Sequence, residues 1–434
     1  MTVRLKILGL ASAVTLLLGG AGAGLVSLSM PAIAQQNAAR VVVVGGGFGG
    51  ATAAKYIRRL NPKIQVTLVE PLQRYYTCPF TNLHFGGLRT FEQQGHNYNE
   101  LRALGVQVVH ALANDIDNKK KTVTLAGGRV LPYDKLLLSP GIDIRWGALK
   151  GYDQAAAQLV PHAWQAGPQT NLLKQQLDAM PDGGLFILSA PDNPFRCPPG
   201  PYERVSMVAH YFKTRKPKSK ILVLDAKENF SKQGLFLDGW KKVYGEMIEW
   251  VPLSKDGKVV RVDARTREVE TEFGKKHKAA VLNVVPPQKA GFIADRAGVT
   301  AQSGWVPVKA ETFESSQVAD IYVVGDATAA APMPKSGFVA NAQGKVAAAA
   351  IVASFAGQPA PKASWANTCY SLIAPDYGIS VANVYNVVDG KLNEIKGSGG
   401  VSPREASPEF RKLEADYGVA WYNAIANDAW GTKA

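Results

Sequence analysis

Residues 40–70 limit the possible folds more than any other stretch. Val41-Val42-Val43-Val44 has the β-branched density of a strand buried on both faces, and it runs directly into Gly45-Gly46-Gly47-Phe48-Gly49-Gly50. Gly45, Gly47 and Gly50 fill the spacing G-x-G-x-x-G. The first glycine permits a tight turn, the second lets a pyrophosphate approach the backbone, and the third lets the next helix pack closely on the strand. That helix starts around Phe48 and points its N-terminus at the phosphates. Ala51, Ala54, Ile57 and Leu60 recur at helical spacing until Asn61-Pro62 stops them, and residues 64–69 form a second strand. Glu70 ends that strand, where an acid binds ribose hydroxyls. Strand, turn, helix, strand and acid in this order predict a dinucleotide site; NAD and FAD both remain open.

Residues 1–34 read as an export signal. Arg4 and Lys6 precede an apolar run over residues 7–30, and Ala32-Ile33-Ala34 supplies a small-x-small cleavage pattern. An uncleaved anchor is the other reading, and both place the protein outside the cytoplasm, in the periplasm. No second membrane-length segment follows, so the mature chain is expected to lack an integral span. The formal charge of +14 suits an anionic substrate or an acidic partner. Nucleic acid is disfavoured, because the positive residues are scattered and no aromatic-studded basic helix appears.

Cys78, Cys197 and Cys369 are the only cysteines. None forms a C-x-x-C redox pair, a metal site or a C-x-x-C-H haem attachment. Two of them pairing would leave the third free, joined to a partner, or bonded to something else.

After Glu70, residues 71–82 are too broken by proline for a regular element and form a loop that carries Cys78. Strands are expected at residues 106–109, in a hairpin at 121–130, and at 136–138 before Ser139-Pro140-Gly141. This layout resembles two-dinucleotide-domain flavoproteins. The resemblance implies that Ser139, Pro140 and Gly141 lie near FAD and that Gly325-Asp326, closing a later strand, hold the ribityl chain. The predicted fold class is α/β, with two Rossmann-like dinucleotide-binding domains and a smaller α+β C-terminal domain. The FAD domain is split into residues 37–150 and 285–358, the second domain spans 151–284, and the C-terminal domain spans 359–434.

In the second domain an apolar strand at 184–189 has a partner at 221–224 ending in Asp225. Its glycine loop is missing. The chain instead reads Ala190-Pro191-Asp192-Asn193-Pro194-Phe195-Arg196-Cys197-Pro198-Pro199-Gly200-Pro201-Tyr202-Glu203. Prolines remove backbone donors and fix φ, so this loop is not expected to cradle a pyrophosphate. Nicotinamide binding is expected to be lost, with a cysteine in the vacated turn. Further on, Lys335 and the start of a helix over 338–355 are placed to present positive potential to the flavin. The closing segment 410–430 has helical spacing and many aromatics, and is expected to pack on the protein.

Four motifs together resemble the flavoprotein subunit of flavocytochrome c sulfide dehydrogenase. They are Tyr75-Tyr76-Thr77-Cys78-Pro79-Phe80, Arg196-Cys197-Pro198-Pro199-Gly200-Pro201-Tyr202-Glu203, Pro332-Met333-Pro334-Lys335-Ser336-Gly337 and Asn367-Thr368-Cys369-Tyr370-Ser371. The resemblance implies FAD held through an 8α-thioether to Cys78, and a redox-active disulfide between Cys197 and Cys369. It also implies a c-type cytochrome partner, which alone carries haem. On this reading hydrosulfide, or another small thiol, attacks the disulfide, and Glu203 accepts a proton or gates the site. A sulfide:quinone reductase and a non-catalytic FAD electron-transfer subunit are the alternatives.

Overall fold

Val41 and Val43 face one buried cluster while Val42 and Val44 face another, so the first strand is covered on both sides. That is the geometry in which a continuous valine run belongs. The computed structural model describes residues 38–431, and the leader expected over residues 1–34 lies outside the described residues.

The strand Arg40–Val44 is central in a five-stranded sheet with every pairing parallel. Gln65–Val69 and Gln107–Val109 lie on one side, and Lys135–Leu138 and Ile321–Val323 on the other. The chain moves outward in one direction, then returns past its starting strand. The glycine loop after Val44 therefore sits at the point where the strand order reverses, the usual ligand crevice of such sheets. The helix Phe48–Leu60 follows at once. A Cβ on Gly50 would stand 1.9 Å from the Gly45 carbonyl oxygen, and Gly45 itself has φ of +98°. Replacing Gly50 with alanine is therefore expected to destabilise the fold by about 1–3 kcal/mol, the usual cost of overpacking. Thermal unfolding checks this, and an unchanged midpoint would contradict the packing described.

The second sheet repeats the first. Leu185–Ala190 is flanked by Lys220–Asp225 and Val281–Val284, with Ile248–Val251 at the edge, all parallel. Phe186 and Leu188 face one core and Ile187 the other. Each half also carries a three-stranded antiparallel meander, at Ala113–Asp117, Thr122–Leu125 and Val130–Pro132 and again at Val259–Asp263, Glu268–Thr271 and Lys276–Lys278. The loop without glycines thus occupies the position in the second sheet that the glycine loop occupies in the first.

The C-terminal part is a long hairpin, Ser364–Ala374 with Tyr377–Val388, followed by the helix Pro408–Trp430. This helix packs on the first domain. Trp430 Nε1 donates to the Gly46 carbonyl at 3.0 Å, and the Tyr422 hydroxyl meets Thr77 Oγ1 at 2.9 Å. The helix Gly337–Phe355 is long and apolar enough to cross a membrane by composition, but half of its apolar window is buried in the fold. Gly344 lies against the Gly49 carbonyl of the Phe48–Leu60 helix, so it serves as a core helix.

Candidate active site

The glycine loop opens onto two adjoining cavities of about 360 and about 100 Å³ that share Gly47, Tyr75, Cys78, Ser139, Gly141 and Arg196. The larger also reaches Gly45, Glu70 and Pro140. The smaller reaches Phe48, Gly325, Asp326, Lys335, Glu203 and the other two cysteines. Of the residues expected at the site from sequence, only Gly50 lines neither cavity; it stands behind the loop as the close contact of helix on strand.

The trench suits FAD by its donor set as well as its position. Glu70 is buried and accepts from the Gly46 and Leu72 amides at 2.8 and 3.0 Å. Burial pushes its carboxyl above the ordinary value, and the two amides oppose that. Asp326 is the sharper indicator: its Oδ1 is buried without a hydrogen-bond partner, and burial raises its pKa against the pull of Arg196 and Lys335. A buried carboxylate oxygen with no donor is costly unless a ligand supplies one, and a ribityl hydroxyl is such a donor. Lys335 differs from expectation. Its ammonium donates to the carbonyls of Asp326 and Thr328 at 2.8 and 2.6 Å and lies 3.7 Å from the centre of the Trp305 ring. Burial brings its pKa down to about 8. It secures the Gly325-Asp326 turn rather than pointing a free charge into the trench.

The three cysteines come from three separate parts of the chain and line the same cavity. Cys78 lies in the proline-broken loop, held where the Thr77 amide donates to the Gln94 carbonyl at 3.2 Å. Cys197 has a left-handed backbone, φ +58°, unusual for a residue with a side chain. Its amide donates to the Lys335 carbonyl, and its carbonyl accepts from the Gly200 amide, both at 2.8 Å, where the helix Gly200–Arg215 begins. Backbone held in this sparse region clusters at functional sites. Cys369 lies on the strand Ser364–Ala374. All three are free thiols, so the disulfide expected between Cys197 and Cys369 is not formed in this structure. Cys197 and Cys78 instead act on each other: the interaction pulls the Cys78 thiol down and pushes Cys197 up, and burial and the Glu203 charge push Cys197 up further.

Glu203 lies in the first turn of the Gly200–Arg215 helix, six residues after Cys197 in the sequence. Its Oε1 accepts from Ser371 Oγ at 2.5 Å, and its Oε2 from Asn82 Nδ2 at 3.4 Å. Asn82 is oriented in turn by Arg204 Nε at 3.2 Å, and the Arg204 guanidinium lies between the rings of Phe85 and Trp164. Burial raises the Glu203 pKa; Lys232, Ser371 and Asn82 pull the other way. Lys232, Ser371, Asn82 and Arg196 were not expected from the sequence as site residues. Lys232 and Ser371 stand 139 positions apart, which leaves no local spacing that would pair them.

In the second sheet Asp225 stands where a nucleotide-binding domain presents its ribose acid. It is fully buried and already taken, accepting from Tyr202 at 2.5 Å, Trp250 at 3.0 Å and Lys227 at 2.6 Å. Tyr202 stacks on Phe230 beside it.

Comparison with known proteins gives three family matches. Residues 39–175 match Pyridine nucleotide-disulphide oxidoreductase, residues 170–286 match the central part of Sulfide dehydrogenase (flavocytochrome c) flavoprotein chain, and residues 361–430 match Flavocytochrome c sulphide dehydrogenase, flavin-binding. A sulfide dehydrogenase flavoprotein chain from Chlorobaculum thiosulfatiphilum is 70% identical over 43 residues, covering 10% of this chain and 90% of that sequence. The mitochondrial sulfide:quinone oxidoreductase of Mus musculus is 23% identical over 309 residues, 68% of this chain and 66% of that protein. The solved sulfide:quinone oxidoreductase of Aquifex aeolicus shares the fold, with a TM-score of 0.67 and 20% identity, covering 90% of this chain and 92% of that one.

Proposed function

The chain belongs to the family of the flavocytochrome c sulfide dehydrogenase flavoprotein chain, and we propose that it oxidises hydrosulfide with Cys197 and Cys369 beside an FAD carried on Cys78. The observation that carries this reading is the convergence of all three cysteines and Glu203 on one cavity at the glycine loop. When bound, FAD supplies a two-electron acceptor next to the sulfurs and a route for single electrons to a c-type cytochrome. Gly45, Gly47 and Glu70 would hold its nucleotide end, Ser139, Pro140, Gly141 and Asp326 its middle, and Cys78 its ring by a thioether.

In the oxidised form of this proposal, Cys197 and Cys369 are joined. Hydrosulfide attacks one sulfur, the bond between the cysteines breaks, a new sulfur–sulfur bond forms, and the released sulfur keeps the electron pair as a thiolate. Glu203 accepts the proton that the bound sulfur gives up, and Ser371 and Asn82 orient its carboxylate. Over one cycle hydrosulfide loses two electrons and a proton, and a second hydrosulfide carries away the zero-valent sulfur. The occupied Asp225 and the proline loop support a thiol substrate over a nicotinamide in the second domain. The haem belongs on a separate subunit, since this chain has no C-x-x-C-H. The apolar run over residues 7–30 supports action in the periplasm.

A quinone acceptor is the second reading, favoured by Phe410, Leu413 and Tyr417, which lie exposed along the last helix. Anaerobic mixing with hydrosulfide tests the shared claim: the flavin absorbance should bleach, and ferricytochrome c should restore it faster than a short-chain quinone. A flavin that stays oxidised removes sulfide from the account, and faster recovery with quinone changes the acceptor.

Glu203 makes the rate depend on pH in a set direction. Its charged form is the base, so bleaching at saturating sulfide should rise with pH through a pKa displaced above the ordinary carboxylate value by burial. Glu203→Gln is expected to remove that limb and slow the reaction by about 10²-fold or more. A retained limb in the variant would assign the titration to another group.

A further inference from the structure

Lys232 is 6% exposed and has φ of +62° at the start of the helix Gln233–Tyr244. Of the three other buried lysines, Lys55 and Lys227 neutralise their charge against Glu100 and Asp225, and Lys216 donates to the Leu177, Asp178 and Met180 carbonyls; Lys232 joins no ion pair among the described residues and is the one that reaches a cysteine sulfur. Its Nζ reaches across to the C-terminal hairpin, donating to the Cys369 carbonyl at 3.2 Å and Ser371 Oγ at 2.7 Å, and standing 3.7 Å from Cys369 Sγ. Ser371 Oγ in turn donates a hydrogen bond to Glu203 Oε1. A buried ammonium without a carboxylate is costly, and a left-handed residue with a side chain adds to that cost. An arrangement costly on both counts points to a charge that the cation is there to meet.

We propose that Lys232 is a catalytic cation for the Cys369 sulfur, holding the negative charge that appears there, with Ser371 and Glu203 as the far end of the same hydrogen-bonded line. The inference rests on the sulfide-oxidising reading. When hydrosulfide opens the cysteine pair, one sulfur–sulfur bond replaces another and one sulfur is released with the electron pair. If Cys369 is released, it is the thiolate; if Cys369 is attacked, it bears the persulfide. In the first case the thiolate lies beside Lys232; in the second the thiolate is Cys197, and the persulfide on Cys369, beside Lys232, becomes anionic once Glu203 takes its proton. The charged or titratable groups facing Cys369 are Lys232 before one helix, Glu203 on another and Cys197 in the loop preceding it; of these only Lys232 is a cation. Burial raises the Cys369 pKa, with Lys232 opposing and Glu203 reinforcing the rise.

The test is the pH profile of iodoacetamide alkylation at each cysteine of the reduced holoenzyme, read by peptide mass. In the wild type the midpoint for Cys369 should lie below that for Cys197. Lys232→Met keeps the stem and removes the charge, and should raise the Cys369 midpoint by about one unit, slowing its alkylation about tenfold at pH 7. Lys232→Arg should restore most of the rate. An inverted order in the wild type, an unchanged Cys369 profile in Lys232→Met, or an arginine variant as slow as the methionine one would overturn the proposal. The wild-type order decides even if Lys232→Met does not fold. Flavin bleaching by hydrosulfide on the same wild-type sample tests the underlying reading separately: the expected profiles without bleaching would leave Lys232 its electrostatic role and remove the sulfide substrate.

Discussion

Replacing Cys369 with serine is expected to lower the rate of flavin reduction by hydrosulfide by about 10³-fold or more while FAD stays bound. A serine hydroxyl can neither pair with Cys197 nor carry a sulfur atom, so hydrosulfide has no bond to open. Cys369 lies on the C-terminal hairpin and is none of the residues assigned to hold FAD at the glycine loop, Glu70 and Asp326, so cofactor retention should survive the change. Cys197→Ser should cost as much, and the double variant little more, because the two sulfurs act as one unit. Stopped-flow bleaching under anaerobic conditions measures all three. Reduction by dithionite should remain fast in each variant, which separates lost sulfide chemistry from a damaged flavin site. If Cys369→Ser bleaches within tenfold of the wild type, the chain is an electron-transfer subunit, not the sulfide-oxidising one.

Cys78→Ser carries the second large effect. With the thioether gone, only the side chains and amides of the trench hold FAD, and denaturation should release all of the flavin. The wild type should keep its flavin through the same treatment. The native variant should still bind FAD, since Glu70 and the partnerless Asp326 oxygen do not depend on Cys78. Ultrafiltration before and after denaturation, with flavin fluorescence in the filtrate, gives the result directly. Flavin that stays with denatured Cys78→Ser would move the attachment to another residue.

The parts of this site that were legible in the sequence are those that local chemistry dictates. A valine run before G-x-G-x-x-G has few alternatives, because a strand buried on both faces and a turn that rejects a Cβ at Gly50 are each written in consecutive residues. The missing glycine loop was equally visible, since prolines announce themselves. Lys232 was not legible. It belongs to no motif, and its meaning comes from a hairpin more than a hundred residues later that folds across it. Asp225 shows the same limit from the other side. It ends the strand at the place where a nucleotide-binding domain presents a ribose acid, yet Tyr202, Trp250 and Lys227 already satisfy its carboxylate. Only the packed structure reveals that. Lys335 lines the cavity at the glycine loop, but its charge goes to two backbone carbonyls and the Trp305 face, a geometry that sequence spacing does not encode.

The division of the three cysteines between one flavin bond and one redox pair is the centre of this account, and the intact mass of the denatured wild-type protein tests it most directly. The account predicts that the flavin mass stays with the chain, that alkylation without reduction adds nothing, and that after reduction it adds two groups, at Cys197 and Cys369. Loss of the flavin together with three cysteines that alkylate without reduction would contradict it.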